Sequence, residues 1–182
     1  MMDKLKAHWS LETMNLTSER LTIRQFTAAD VSLAYLRWLN DPEHMRFSNQ
    51  RFFTHTYDSA LEYLSSFKDV YSAFLAVDMR EDSQLVGTAT VFSDSHHGTA
   101  DIGVMIGTEH SGHGIACEAI GAIAQSLGNQ GFRKITIGTS AQNVRMLRVI
   151  ESLGFEPDGV RSRHEIINDI ETDILYFAKF PQ

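Results

Sequence analysis

The stretch Ile102 to Ala119, IGVMIGTEHSGHGIACEA, decides the fold. Its first part, up to Gly107, has the closely spaced aliphatic residues of a strand. Gly112, Gly114 and Ala116 then make a turn of small residues, and Ile115 opens a helical pattern in which Ala119, Ile120, Ile123 and Leu127 recur on one face. Unpaired backbone N–H groups and the positive end of the helix dipole gather at such a turn, and the bare glycines let an anionic ligand approach the main chain. Two other phosphate loops are excluded by spacing. A dinucleotide fingerprint needs glycine where Cys117 stands, and a P-loop starting at Gly107 needs lysine at His113 and a hydroxyl residue at Gly114.

Working outward, period-2 patterning predicts strands at about 20–26, 72–79, 84–92, 99–107 and 133–139. Pro157–Ile167 and Thr172–Phe180 read as a terminal hairpin around Asn168-Asp169. Helices are expected at about 28–39 with Thr27 as cap, 57–68 with Thr56 as cap, 115–130 and 141–153. The order β-α-α-β-β-β-α-β-α-β-β predicts an α/β (α+β) fold with a mixed sheet and helices on both faces. With 182 residues, no linker-like segment and no repeat, the chain reads as one domain over 1–182, with 1–18 as an N-terminal extension.

A formal charge of -7 argues against a general nucleic-acid binder, whose affinity rests on neutralising phosphates. No run approaches the about 18 apolar residues of a membrane span, and Met1–Leu16 lacks the apolar core of a secretory signal. The single Cys117 fits a reducing compartment, so a cytoplasmic location is expected. Cys117 itself reads as a small packed thiol. His110 and His113 lack the spacing and carboxylate partner of a metal site, so no metal is expected.

Ser111-Gly112-His113-Gly114-Ile115-Ala116 resembles the CoA-binding turn of the GNAT acetyltransferase superfamily, written Gln or Arg, two residues, Gly, one residue, Gly or Ala. Ser111 replaces the opening Gln or Arg, and His113 replaces the usual Lys or Arg. Asn143-Val144-Arg145-Met146 and Leu153-Gly154-Phe155 resemble a second element, Asn-x-x-Ser followed by Leu-Gly-Phe. The resemblance covers about 20–180. Glu19-Arg20-Leu21-Thr22-Ile23-Arg24 and Trp38-Leu39-Asn40-Asp41-Pro42 look like the branch of the ribosomal-protein alanine N-acetyltransferases. Arg51-Phe52-Phe53, His55-Thr56 and His97–Gly103 look more like enzymes of amino-sugar and polysaccharide pathways.

The resemblance implies a mostly antiparallel twisted sheet of about seven strands, splayed in the middle for acetyl-CoA. It implies direct attack of a primary amine on acetyl-CoA in a ternary complex. Ser111, Gly112, His113, Gly114, Ile115, Ala116 and Asn143 would hold the cofactor, and the backbone of Val104-Met105-Ile106 would polarise the thioester carbonyl. Where relatives place a Glu base, this chain has Gly138, and where they place a Tyr acid, it has Ile150. His97 and Asp101 are therefore the expected bases, while Glu118 is read as stabilising the helix N-terminus. The expected acceptor is a small-molecule amine such as an amino sugar, with Arg51, Phe52, Phe53, His55 and Ser95 on its side. A protein N-terminus and a non-catalytic acetyl-CoA-binding module are the alternatives, and the final hairpin could pair across a two-fold axis to make a homodimer.

Overall fold

The computed structural model of the chain describes residues 11, 14–67 and 69–181. Most of the expected 1–18 extension, and Lys68 at the end of the expected second helix, lie outside them. The elements are β1 (Leu16–Thr17), β2 (Leu21–Gln25), α1 (Leu33–Leu39), α2 (Tyr57–Ser65), β3 (Ser72–Met79), β4 (Leu85–Asp94), β5 (Thr99–Ile106), α3 (Ile115–Asn129), β6 (Lys134–Ser140), α4 (Val144–Ser152), β7 (Glu156–Ile167) and β8 (Ile170–Lys179). The strands form one sheet in the order β1-β2-β3-β4-β5-β6-β8-β7, and among the described residues only the β5–β6 pair is parallel. About seven strands were expected. The eighth is β1, whose Leu16 pairs with Ile23 at the sheet edge.

The sheet is covered on both faces, which is why β3 reads as the near-continuous apolar run AFLAV. Alternation sends Ala73, Leu75 and Val77 to one core with Ile120, Ile123 and Leu127 of α3. Phe74 and Ala76 go to the other core, with Tyr35 and Trp38 of α1 and Ala60 of α2. Each of the fully buried Ile and Leu side chains of α3 contributes about 1.5–3 kcal/mol, so this stripe ties α3 to the sheet. The terminal hairpin closes at Asn168 and Asp169, which take φ of 51° and 62°, the left-handed pair a two-residue turn demands.

Two helix starts differ from the sequence reading. Thr27 caps only a 3-10 turn, Ala28–Asp30, because the Asp30 carboxylate accepts from the Thr27 N–H and, further back along the chain, from Arg24 Nη2, each at 2.7 Å. The helix proper starts after Ser32, whose Oγ accepts the Tyr35 N–H. Likewise α4 starts at Val144 rather than 141, behind Asn143.

Candidate active site

The parallel contact between β5 and β6 is short. Thr99, Ala100 and Asp101 pair with Lys134, Ile135 and Thr136, and beyond them the strands part. Each keeps its other neighbour: β5 pairs with β4 as far as Ile106, and β6 with β8 as far as Ser140. The sheet is therefore split, and the split opens toward the C-terminal end of β5. Gly107 N–H donates to Val86 O at 2.8 Å, so Met105 and Gly103 turn their backbone groups toward β4. The same alternation turns Val104 and Ile106 to the split. Of the three strand residues expected to serve the cofactor through their main chain, Val104 and Ile106 face the split; Met105 has its main chain in the β4 ladder, opposite Thr88. Its side chain packs against the α1–α2 core and helps line the cleft.

After β5 the chain passes Trp38 at Gly107, where a Cβ would stand 2.4 Å from the indole. Gly112 and Gly114 take φ of +85° and +77°, conformations that other residues adopt only with strain. Gly114 is the N-cap of α3 and supplies no side-chain acceptor, so the first N–H groups of the helix stay available. Among the described residues, nothing stands within 4 Å of where a Cβ on Gly112 would be. Such a turn is a cradle that could hold a pyrophosphate, since it offers main-chain donors, a positive dipole end and an open approach.

The cradle is braced from behind. The Glu118 carboxylate accepts from Ser18 Oγ, Arg20 N–H and Arg20 Nε, each at 2.7 Å. Burial pushes the Glu118 carboxyl up, but these hydrogen bonds outweigh it and hold the group below its ordinary range. Arg20 Nη1 donates to the His113 carbonyl at 3.0 Å. His113 thus meets the cradle through its main chain, and its ring lies 3.3 Å from the His110 carbonyl.

A cleft of about 1550 Å³ runs from this cradle through the split and out under the α1–α2 connection. Ser111, Gly112, Gly114, Ile115, Ala116 and Asn143 line it; His113 does not. Asn143 Oδ1 accepts the Met146 N–H and its Nδ2 donates to Thr139 Oγ1 at 3.1 Å, so the side chain caps α4. Arg145 and Arg148, one turn apart on α4, line the same end. The opposite end is lined by Asp41, Glu43, Glu62, Arg46, His44 and Tyr63. His44 and His110 both line the cleft with Nε2 atoms that are buried and without a hydrogen-bond partner among the described residues. Burial lowers the His44 imidazole below its ordinary value, against the opposing pull of Asp41 and Glu109.

A family model described as acetyltransferase (GNAT) domain matches residues 20–156. The chain belongs to the GNAT family. It is 25% identical over 173 residues to an uncharacterized N-acetyltransferase of Bacillus licheniformis, covering 90% of this chain and 94% of that one. Its fold is similar to that of a spermidine N-acetyltransferase from Vibrio cholerae, solved with CoA and spermine, with a TM-score of 0.81, 18% identity and 90% and 97% of the two chains covered. It is equally similar to a ribosomal-protein alpha-N-acetyltransferase solved with coenzyme A, with a TM-score of 0.82, 14% identity and 92% and 98% covered. At such identities the likeness is one of fold. The eight-stranded mixed sheet with its four helices is the GNAT architecture, and the protein is an N-acetyltransferase.

Within this GNAT frame the two expected bases are not brought to the cleft. His97 is exposed in the β4–β5 turn, its N–H on Asp94 Oδ1 at 3.1 Å and its carbonyl receiving Arg133 Nε at 2.6 Å. That turn precedes β5 and the cradle follows it, so the 8 residues of the strand separate them by roughly 26 Å. Asp101 accepts from Thr136 Oγ1 at 2.7 Å in a separate groove of about 370 Å³, beside Lys134. Burial raises its carboxyl, with the Thr136 hydrogen bond opposing. Arg51 is likewise engaged, donating to the Ser48 and Ile166 carbonyls and lying 3.5 Å from Glu165. Phe53 and His55 do reach the cleft. The groups that sequence reasoning missed there, His44, His110, Arg145 and Arg148, carried no local signal beyond residue type.

Proposed function

We propose that the chain transfers an acetyl group from acetyl-CoA to the primary amine of a small cationic molecule, by direct attack in a ternary complex. The split between β5 and β6, with a main-chain cradle at its mouth, is the observation that carries this reading. The cradle residues Gly112, Gly114, Ile115 and Ala116 would hold the pyrophosphate, with Arg145 and Arg148 supplying positive charge on the same side. When bound, acetyl-CoA supplies a thioester in the split. The Val104 and Ile106 N–H groups favour the carbonyl oxygen as negative charge develops on it, which is the largest electrostatic contribution such a site makes.

The amine nitrogen forms a bond to the acetyl carbon, the carbon–sulfur bond breaks, and the thiolate takes a proton from solvent. Ile150, fully buried, offers it none. The ammonium must first lose a proton, and His44 is the base we assign. It lines the acceptor end, its Nε2 lacks a partner, and burial keeps the imidazole neutral at pH 7.

Charge along the cleft supports the acceptor class. Asp41, Glu43 and Glu62 line the acceptor end, and its one arginine, Arg46, is paired with Glu43. An incoming ammonium is favoured there, whereas a nucleotide-linked amino sugar would meet carboxylates with Arg51 already engaged. Thiol release from acetyl-CoA, followed over polyamines, free amino sugars, nucleotide-linked amino sugars and N-terminal peptides, tests the reading. Fastest turnover is expected with a polyamine or free amino sugar. Preference for a peptide or a nucleotide-linked sugar overturns the acceptor class, and CoA binding with no turnover on any amine leaves a binding module.

A further inference from the structure

Ser111 and His113 stand where the family turn carries Gln or Arg and Lys or Arg, so the cradle's own loop brings no permanent cation to the pyrophosphate. We propose that Arg20, the residue before β2, supplies it: its guanidinium is clamped behind the turn and offers Nη2 to a phosphate seated at Gly114. This rests on acetyl-CoA being the donor.

Three of the residue's donors are committed. The Arg20 N–H and Nε both go to Glu118, and Nη1 goes to the His113 carbonyl. Nη2 has no hydrogen-bond partner among the described residues and lies 3.5 Å from where a Cβ on Gly114 would stand. The side chain remains 42% exposed, so the open side faces solvent rather than core. Ser18 Oγ pins the far oxygen atom of the same carboxylate network. A guanidinium fixed at Nε and Nη1 has its plane set in advance, and little rotamer freedom is left to lose when Nη2 meets an anion. The hydrogen bond to the His113 carbonyl also holds the peptide ahead of Gly114, the residue that must stay left-handed for the α3 donors to converge. Lysine cannot reproduce this, since a single ammonium has no fork to divide between carboxylate, carbonyl and phosphate.

The test compares two ligands that differ by the 3′-phospho-ADP moiety, which carries the pyrophosphate. Binding of acetyl-CoA and of acetylpantetheine is measured calorimetrically for wild type, Arg20→Gln and Arg20→Lys. Loss of a hydrogen bond to a charged group weakens binding by about ten- to a hundredfold. That loss is expected for acetyl-CoA in Arg20→Gln, with acetylpantetheine changed less than twofold and Arg20→Lys recovering only part. Equal weakening of both ligands would mean that Arg20 merely braces the fold, and unchanged acetyl-CoA binding would remove it from the cradle. If Arg20→Gln does not fold, Arg20→Lys decides by the same ratio of the two ligands. A wild-type protein that binds neither ligand removes the donor reading and Arg20's role with it, an outcome distinct from variants that lose nothing.

Discussion

At the cradle end of the cleft, consecutive residues of one turn present main-chain donors to a ligand, and a closed set of hydrogen bonds from Ser18, Arg20 and Glu118 holds them from behind. At the acceptor end, side chains from the α1–α2 connection, from α2 and from the turn after β5 meet; there His44 keeps a buried Nε2 without a hydrogen-bond partner among the described residues, and His110 Nε2 lies 4.0 Å from Glu109. An unpaired buried polar group costs about 1–3 kcal/mol, so the fold gives up stability at His44. In the proposed reading, anchoring belongs to the first region and reactivity to the second. The comparison also sets the scale of mutational effects: backbone geometry is lost all at once, whereas side-chain roles are lost one at a time.

The largest effect is expected at the glycines. A ligand at about 100 times its Kd adds about 2.7 kcal/mol to stability, which for a chain of this size raises Tm by about 5–10 °C. In Gly114→Asp the positive φ strains the turn and the carboxylate opposes the pyrophosphate, so the CoA-induced shift should disappear. Gly154→Asp is the control, because Gly154 shares the positive φ of +71° but ends α4 away from the cleft. A full shift in Gly114→Asp would break the assignment of the cradle.

Next comes His44. His44→Ala should lower kcat by about 10²–10⁴ with little change in the KM for acetyl-CoA, and His97→Ala should stay within twofold of wild type. Burial disfavours the imidazolium, so the folded value lies below the ordinary one of about 6.5. Activity should therefore fall as pH drops through an ionisation below that value and be flat above it. The groups facing His44 in this titration are Asp41 on its own loop and Glu109 from the turn after β5, both of which pull the value back up. An acidic limb that persists unchanged in His44→Ala would return the base to solvent.

Legibility followed the same division. The strand, glycine turn and α3 could be read because donors, dipole and glycines are adjacent in the chain and each leaves a residue-type signature. Ile106 and Met105 were not separable, since only the ladder with β4 shows which backbone faces the split. His97 was misplaced because a histidine next to a turn says nothing about which end of the following strand holds the ligand. Arg20 and Glu118 lie 98 residues apart, and no periodicity links a strand start to a helix turn. The short β1 escaped because two residues cannot display a period of two.

A smaller effect sharpens the account of the brace. Glu118 is held below its ordinary value, so its contribution is present above the unfolded carboxylate range and is lost as pH falls through the folded value. Wild type should lose Tm between about pH 5 and pH 3 more steeply than Glu118→Gln, with the two curves converging at the acidic end. Parallel curves would show that the carboxylate contributes nothing to folding.

Asn143 gives the smallest effect and the finest test, because it lines the cofactor end of the cleft while its amide is already used. Oδ1 accepts the Met146 N–H and Nδ2 donates to Thr139 Oγ1, which leaves one amide hydrogen for a ligand. Removing an N-cap costs about 1 kcal/mol, or about 2–4 °C of Tm here, so Asn143→Ala should show that loss. Its kcat/KM for acetyl-CoA should fall less than about threefold, within what one neutral hydrogen bond at the weak end of its range supplies. Asn143→Asp keeps the acceptor that caps α4 but removes the donor to Thr139, so it should retain most of the stability. A tenfold drop in kcat/KM at unchanged Tm would reverse the assignment: α4 would then be gripping the cofactor through its cap residue, and main-chain anchoring would no longer be confined to the cradle.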